Sequence, residues 1–324
     1  MSFWKKVLRT NFTDVRELAA YLNIPTEKLF IHSKFVLNLP RRLADKIEKG
    51  RMEDPLLRQF VPLQEETIPH LEFLPDPVGD VTFKKSDKLI QKYHGRALVV
   101  STSACAMHCR YCFRQNFPYE TQRKGFEKEI RELQENTSIT EAILSGGDPL
   151  SLSDEVLGNF LKELDKIPHL TKIRFHTRFP IGIPERIDDS FIALLSEVQK
   201  QMLFVIHVNH PKELDEDVLK ALKSVAKLGI PLLCQSVLLK GVNDNLEILK
   251  ALFEKLIDHG IIPYYLHQLD KVQGASHFEV PREKGLHLIQ ELLAHLPGYA
   301  IPRYVEEIPG ALSKKNILHP IDEG

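Results

Sequence analysis

From residue 96 onward, short apolar runs alternate with longer stretches whose apolar residues recur at helical spacing. The runs have the length and composition of buried strands and lie at 97–102, 141–145, 172–177, 202–208, 231–237 and 263–268. The helical stretches lie between them, at 153–167, 212–229 and 245–260. Strands and helices that alternate in this way predict parallel βαβ units. Six such units favour a (β/α) barrel, full or partial, although periodicity alone leaves a three-layer α/β fold open.

The first 90 residues have a different pattern. The strings "DVRELAAYLNI" and "RRLADKIEKG" show helical apolar spacing, and the second ends on Gly50, a residue typical of helix C-caps. Residues 61–90 are rich in proline and acidic residues and predict a wrapping loop or linker. We therefore divide the chain into an N-terminal helical and wrapping region at 1–90, a barrel at 91–300 and a C-terminal segment at 301–324.

Composition and charge argue against several classes of partner. The chain has 43 Lys and Arg against 44 Asp and Glu, and this balance argues against a broad electrostatic grip on nucleic acid or an anionic membrane. The N-terminal string "MSFWKKVLRTNFTD" is too polar for a signal peptide, and no apolar run approaches the roughly 18–20 residues of a membrane helix. We expect a soluble protein of the reducing cytoplasm, where clustered cysteines are metal ligands or redox thiols rather than disulfides.

Three of the four cysteines lie in one short string, "CAMHCRYC". Cys105, Cys109 and Cys112 follow the first predicted strand, where a barrel places its chemistry. A structural zinc site normally has four ligands in paired knuckles, and His108 is crowded as a fourth ligand by its neighbours. Thiolates also hold iron–sulfur clusters, and three of them would leave one iron of a [4Fe–4S] cluster open. Cys234 lies far away in an apolar strand, where a free cysteine behaves as a small hydrophobic residue.

The spacing C-x3-C-x2-C after a first barrel strand resembles the radical S-adenosylmethionine (SAM) superfamily. Gly146, Gly147 and Asp148 follow the second predicted strand and resemble the glycine motif that meets the methionine part of SAM. Glycine allows a close backbone approach because it has no Cβ. The resemblance implies a [4Fe–4S] cluster whose open iron binds SAM and generates a 5′-deoxyadenosyl radical.

Longer strings narrow the resemblance. "QKYHGRALVVSTSACAMHCRYCFR", "SGGDPLSLSD", "VNHPKEL", "QSVLLKGVND" and "IPGALSKKNIL" are similar to the lysine 2,3-aminomutase family across most of residues 85–318. The string "CRYCFRQNFPY" most resembles the branch that makes β-lysine for elongation factor P. The family implies a partial (β/α)6 barrel, pyridoxal 5′-phosphate (PLP) beside the cluster and SAM, L-lysine as substrate, and a reductant such as flavodoxin or ferredoxin.

The resemblance also implies the residues that hold the cofactors. Lys314, in "PGALSK" of the C-terminal segment, matches the lysine that binds PLP covalently, although only Gly310 remains of the family's glycine run. Arg96 and Lys92 match the positions that bind the PLP phosphate, with lysine in place of arginine at 92. Gln235 and His207 match positions close to SAM. An ordinary solvated pair formed by Lys314 and its neighbour Lys315 stays open as an alternative.

Three further residues match positions that bind the substrate. Arg114 matches the arginine that pairs with the carboxylate of the amino acid, and a bidentate contact there would orient the substrate towards the radical source. Asp270 and Glu307 match the two acids that bind the ε-ammonium, with glutamate in place of the family's aspartate at 307. Arg110 has no assigned role and is structural or solvated in this interpretation.

Two other functions stay open on the sequence. The first is the same 1,2-amino shift on another amino acid, of which glutamate is disfavoured because Asp270 and Glu307 would repel its side chain. The second is an iron–sulfur protein that is not an aminomutase, either an electron carrier or a structural module. Larger members of the family share a zinc ion between subunits, and we do not expect that site here because Asn245 replaces one of its cysteines.

Overall fold

The computed structural model describes residues 2–120, 122 and 125–317. Its strands form one nine-stranded sheet in which each strand pairs with the next along the chain. Their bounds are β1 Leu89–Ile90, β2 Arg96–Thr102, β3 Glu141–Gly146, β4 Lys172–Thr177, β5 Gln201–His207, β6 Leu232–Val237, β7 Ile261–His267, β8 Arg303–Glu306 and β9 Lys315–Asn316. Neighbours from β2 to β8 are parallel, whereas β1 and β9 pair antiparallel with β2 and β8. In the described part of the chain the two end strands do not pair with each other, so the barrel is partial.

The helices divide between the N-terminal region and the outer face of the sheet. In the described residues they are α1 Phe3–Leu8, α2 Val15–Leu22, α3 Arg41–Asp45, α4 Pro55–Phe60, α5 Glu127–Glu135, α6 Asp154–Asp165, α7 Phe179–Gly182, α8 Asp189–Ser196, α9 Glu216–Ala226, α10 Leu246–Asp258 and α11 Arg282–His295. Side-chain caps at Ser153, Asp215 and Asn245 start α6, α9 and α10, because each accepts a hydrogen bond from a backbone N–H of the first turn. None of the described helices has the length and apolar character needed to cross a membrane.

The predicted strands and helices of the barrel are confirmed. Each of the six predicted strands agrees with β2 to β7 to within two residues at either end, and α6, α9 and α10 fall inside the three predicted helical stretches. The prediction for α3 is wrong at its C-terminal end, since the helix stops at Asp45 rather than near Gly50. The backbone N–H groups of Lys46 and Ile47 turn back three residues to Leu43 and Ala44, which tightens and ends the helix.

Alternation along the parallel strands separates the core from the interior of the barrel. On β4, Ile173 and Phe175 are fully buried under the helices, whereas Arg174 and His176 face a cavity inside the curved sheet. The N-terminal region packs on the outside, where Arg42 of α3 pairs with Asp215 at the start of α9. The division of the chain at residues 90 and 300 stays a prediction.

Candidate active site

One cavity of about 810 Å³ lies inside the barrel, at the end where the parallel strands finish and along the interior below it. All of the residues predicted to act on cofactors or substrate line this cavity. They are Lys92, Arg96, Cys105, Cys109, Cys112, Arg114, Gly146, Gly147, Asp148, His207, Gln235, Asp270, Glu307 and Lys314. Residues that span more than 200 positions of sequence therefore come together at one place.

The cysteine loop, residues 103–114, is anchored by Arg110, which has no role assigned from the sequence. Its guanidinium is fully buried and donates to both carboxylate oxygens of Glu66, at 2.9 and 2.5 Å, and to the carbonyl of Phe35 at 2.6 Å. The backbone N–H of Arg110 also donates to the carbonyl of Gln59. These contacts tie the loop to the N-terminal region and leave the three thiols facing the cavity.

The environment of two of the thiols, Cys105 and Cys112, opposes free thiolates. Burial raises the pKa of Cys105 well above its ordinary value, and burial together with the neighbouring Cys109 raises the pKa of Cys112 to about 11. Metal ligation requires thiolate sulfur, so iron must displace the protons when it binds. Arg178 donates from Nη1 to Cys109 Sγ at 2.9 Å, which places a cation against one of the three sulfurs.

The donor set fits a group larger than a single ion. In the described ranges no three side chains of His, Cys, Asp or Glu converge closely enough to hold one metal ion. Cys234 is 1% exposed and does not line the cavity, as predicted for a residue that acts as a small hydrophobic side chain. The three thiols of one loop are therefore suited to three corners of a cluster, with the fourth corner facing the cavity.

The glycine turn after β3 packs directly on the cysteine loop. A Cβ on Gly147 would lie 2.3 Å from the carbonyl oxygen of Ala104, and one on Gly146 would lie 2.8 Å from that of Thr102. The backbone N–H of Gly147 donates to Thr102 at 2.7 Å. Gly146 also has a φ of +116°, a conformation that favours glycine. These glycines are thus required for the approach of two backbone segments beside the cavity.

Asp148 lies at the cavity wall, but its carboxylate is directed into the fold. It accepts hydrogen bonds from Thr177 Oγ1 and from the backbone N–H groups of Leu150, Arg178 and Phe179. Burial raises its pKa to about 6, although these hydrogen bonds oppose the shift. The carboxylate therefore joins the ends of β3 and β4, and any contact of Asp148 with a cofactor would come through its backbone.

Five charged side chains form an unbroken series across the cavity. Arg114 donates from Nε to Asp80 at 2.6 Å, and Lys92 lies 2.6 Å from the other oxygen of Asp80 and 3.3 Å from Glu307. Lys314 pairs with the second oxygen of Glu307. Burial opposes ionisation of Glu307, but Lys314 and Lys92 outweigh it and lower the pKa of Glu307 to about 2.

Asp270 has the opposite electrostatic character. Burial raises its pKa to about 7, because Glu307 and Asp80 add to the effect of burial while Lys314 and Lys92 only partly oppose it. The two acids predicted to bind the ε-ammonium therefore differ in protonation near neutral pH.

The remaining predicted residues present polar groups to the cavity. His207 lies 3.1 Å from the hydroxyl of Tyr111 by its Nε2, and burial lowers its pKa well below the ordinary value, so the ring is neutral. The side chain of Gln235 makes no hydrogen bond to another described residue. The guanidinium of Arg96 lies over the ring of Tyr93, 4.7 Å from its centre, and forms no ion pair or hydrogen bond within the described ranges. Gln235 and Arg96 therefore have polar groups available to a ligand.

Comparison with known proteins identifies the family. The model of the radical SAM superfamily matches residues 99–252. The chain is 39% identical to the L-lysine 2,3-aminomutase of Haemophilus influenzae, over 96% of this chain and 94% of that protein. The enzyme of the same name from Escherichia coli K12 is also 39% identical, over 96% and 93%, and that from Clostridium subterminale is 31% identical, over 97% and 77%. The chain belongs to the lysine 2,3-aminomutase family.

Membership of the lysine 2,3-aminomutase family makes the chain a radical SAM isomerase and implies a [4Fe–4S] cluster, SAM and PLP as cofactors. The residues on the cavity wall fit these groups, since they supply three thiols, a lysine amine and the guanidinium of Arg96, which forms no ion pair with a described residue. Among solved structures, a radical SAM methyltransferase from Sphaerobacter thermophilus matches with a TM-score of 0.50 and 18% identity, over 67% of this chain and 68% of that one. That likeness concerns the fold alone and agrees with the predicted partial barrel.

Two residues of this site, Asp80 and Arg178, were not identified from the sequence. Asp80, which joins Arg114 to Lys92, lies in the proline-rich segment 61–90, where nothing local distinguishes it from the other acids. Arg178 follows the last residue of β4. Its guanidinium forms a buried ion pair with Glu213, with 2.7 Å between nitrogen and oxygen, and also contacts Cys109. Its position directly after a barrel strand is a signal that could have identified it.

Proposed function

We propose that the protein converts L-lysine to β-lysine by a PLP-dependent 1,2-amino shift. The observation that carries the proposal is that Arg114, Asp270 and Glu307 line the same cavity as the three thiols and Lys314. One cationic and two acidic groups are the complement of an amino acid that has a carboxylate at one end and an ammonium at the other. The names of the relatives support the same substrate.

The chemistry of the step is supplied by the cofactors. Held by Cys105, Cys109 and Cys112, the cluster with SAM would supply the radical chemistry, and PLP held by Lys314 would supply the means of amino-group transfer. The protein positions the groups. Arg114 donates hydrogen bonds from Nε to Asp80 and from Nη1 to the hydroxyl of Ser145. Its Nη2 atom is therefore available to bind the lysine carboxylate.

The acids hold the other end of the substrate. Lys92 and the hydroxyl of Tyr93 lower the pKa of Glu307 together with Lys314, so Glu307 can attract the ε-ammonium of lysine once Lys314 is engaged elsewhere. Asp270, with a pKa of about 7, gains and loses a proton near neutral pH, and its ionised form attracts the ε-ammonium.

The test is turnover under anaerobic conditions. Protein reconstituted with iron, sulfide, PLP and SAM and reduced with dithionite should convert isotopically labelled lysine to β-lysine, followed by NMR or mass spectrometry. The Lys314→Ala variant should bind the cluster and lose turnover, whereas Cys234→Ala should retain both. Consumption of SAM with lysine left unchanged in the wild type would contradict the proposal. Parallel assays with arginine and glutamate identify the substrate, and we expect glutamate to be rejected by Glu307.

The cellular role extends the proposal. We place the enzyme in the cytoplasm, with a flavodoxin or ferredoxin as electron donor and with β-lysine destined for elongation factor P. The similarity of "CRYCFRQNFPY" to the elongation factor P branch supports this destination. The mass of elongation factor P from cells with and without the protein tests it, and identical masses would argue against it.

A further inference from the structure

Lys92 occupies the centre of the charged series, and its ammonium is saturated. Its Nζ lies 2.6 Å from Asp80, 3.3 Å from Glu307 and 2.7 Å from the carbonyl oxygen of Val78. An ammonium has three N–H donors, and these three acceptors use all of them. The side chain is only 12% exposed, so the ammonium is largely shielded from solvent in this arrangement. Lys92 therefore has no donor left for a phosphate group.

Arg96 differs from Lys92 in this respect. It lines the same cavity four residues later, and its guanidinium forms no hydrogen bond or ion pair with any residue in 2–120, 122 or 125–317. Its five N–H donors suit a phosphate, which arginine binds in a bidentate manner. Of the two cations predicted to bind the cofactor phosphate, only Arg96 has the donors to do so.

The partners of Lys92 belong to the two ends of the substrate site. Asp80 accepts a hydrogen bond from Nε of Arg114, and Arg114 is proposed to bind the substrate carboxylate. Glu307 is proposed to bind the ε-ammonium. Lys92 thus joins the residues that recognise the two charged ends of lysine. When Lys314 is bound to PLP its ammonium is no longer available to Glu307, and Lys92 then becomes the protein cation that remains in contact with this carboxylate.

We infer that Lys92 is a positioning residue of the substrate site, which holds Asp80 and Glu307 in place, and is not a ligand of the PLP phosphate. The inference rests on the proposed function. It predicts that loss of the Lys92 ammonium weakens the binding of lysine and leaves the binding of PLP intact.

The experiment measures the two affinities separately in the cluster-loaded protein. PLP is titrated into wild type, Lys92→Met and Arg96→Met and followed by its absorbance, and L-lysine is then titrated into each at saturating PLP. For Lys92→Met we expect an unchanged dissociation constant for PLP and one for lysine that rises about tenfold to hundredfold, the usual effect of a lost hydrogen bond to a charged group. Arg96→Met should show the weaker binding of PLP.

Two further variants separate positioning from general damage. Lys92→Arg keeps the charge and should restore part of the lysine affinity. Lys85→Met, at an exposed position seven residues earlier in the chain, should leave the affinities for PLP and for lysine unchanged. In turnover, Lys92→Met should raise KM more than it lowers kcat. A PLP affinity that falls as far in Lys92→Met as in Arg96→Met would overturn the inference, and so would unchanged lysine binding.

Failure of the inference about Lys92 can be distinguished from failure of the proposed aminomutase activity. A wild type that neither binds nor converts lysine would defeat the proposed function, and the PLP titration would still decide whether Lys92 is a phosphate ligand. Normal turnover by the wild type, combined with poor PLP binding by Lys92→Met, would preserve the function and reject the inference.

Discussion

Replacement of Gly147 by alanine should separate the glycine turn from the cysteine loop. The added Cβ would lie 2.3 Å from the oxygen of Ala104 and 2.7 Å from the carbonyl carbon of Ser103, whereas real Cβ contacts essentially never fall below 3.0 Å. All of these atoms belong to the backbone, so no side-chain rotation relieves the clash. One segment must move by at least the difference, 0.7 Å.

The displacement carries a cost in stability and in metal binding. Overpacking of this kind costs about 1–3 kcal/mol. The hydrogen bonds from the backbone N–H groups of Gly147 and Asp148 to the carbonyls of Thr102 and Ala104 are 2.7 and 2.8 Å long. Loss of either adds about 1 kcal/mol. Cys105 directly follows Ala104 in the chain, so the movement reaches a cluster ligand.

The assay is anaerobic reconstitution followed by iron analysis, absorbance of the cluster, titration with SAM and thermal unfolding. Gly147→Ala should melt at a lower temperature, retain less iron and bind SAM more weakly than the wild type. Gly298→Ala is the matched control, because a Cβ there would have no atom within 4 Å. Wild-type iron content, SAM affinity and melting temperature in Gly147→Ala would refute the steric reasoning.

Two further predictions concern the thiols and the acids. Cys112→Ser should fail to retain the cluster. Cys234→Ala should retain full iron content, because Cys234 is buried outside the cavity. Equal loss of iron in the two variants would contradict this prediction. The affinity for lysine should rise as the pH increases through about 7, because burial raises the pKa of Asp270 to about 7 and only its ionised form attracts an ammonium. Asp270→Asn should remove this pH dependence in the lysine titration, and a wild-type profile in that variant would assign the titration to another group.

The sequence predicted the barrel strands well because most of them are short runs dominated by apolar residues, although on β4 the buried Ile173 and Phe175 alternate with Arg174 and His176. The shorter strand Arg303–Glu306 was missed, since its four residues include two charged ones and give no such run. The end of α3 was also wrong, because it depends on the geometry of its last turn rather than on the apolar spacing that suggested a helix up to Gly50.

The candidate site was predictable where the residues lie in recognisable motifs. The three thiols, the glycine turn and Lys314 all come from such strings and meet in one cavity. Asp80 was unpredictable, because its contacts with Arg114 and Lys92 depend on how segment 61–90 returns over the barrel.

The partners of a side chain were equally invisible in the sequence. The carboxylate of Asp148 binds four groups from the ends of β3 and β4, and the carbonyl of Val78 takes the third donor of Lys92. A motif therefore identified which residues meet at the cavity, but only the fold shows which of their polar atoms remain available.

The two acids of the cavity divide the recognition of the substrate between them. Lys92 and Tyr93 lower the pKa of Glu307 in addition to Lys314, so a second carboxylate on the substrate would meet a negative charge there. Asp270 is largely neutral below pH 7 and would not repel such a carboxylate there. Discrimination against an acidic amino acid therefore depends on Glu307, whereas the pH dependence of lysine binding depends on Asp270. Because the charge of Lys92 also lowers the pKa of Asp270, loss of Lys92 should shift the pH profile of lysine binding to higher pH.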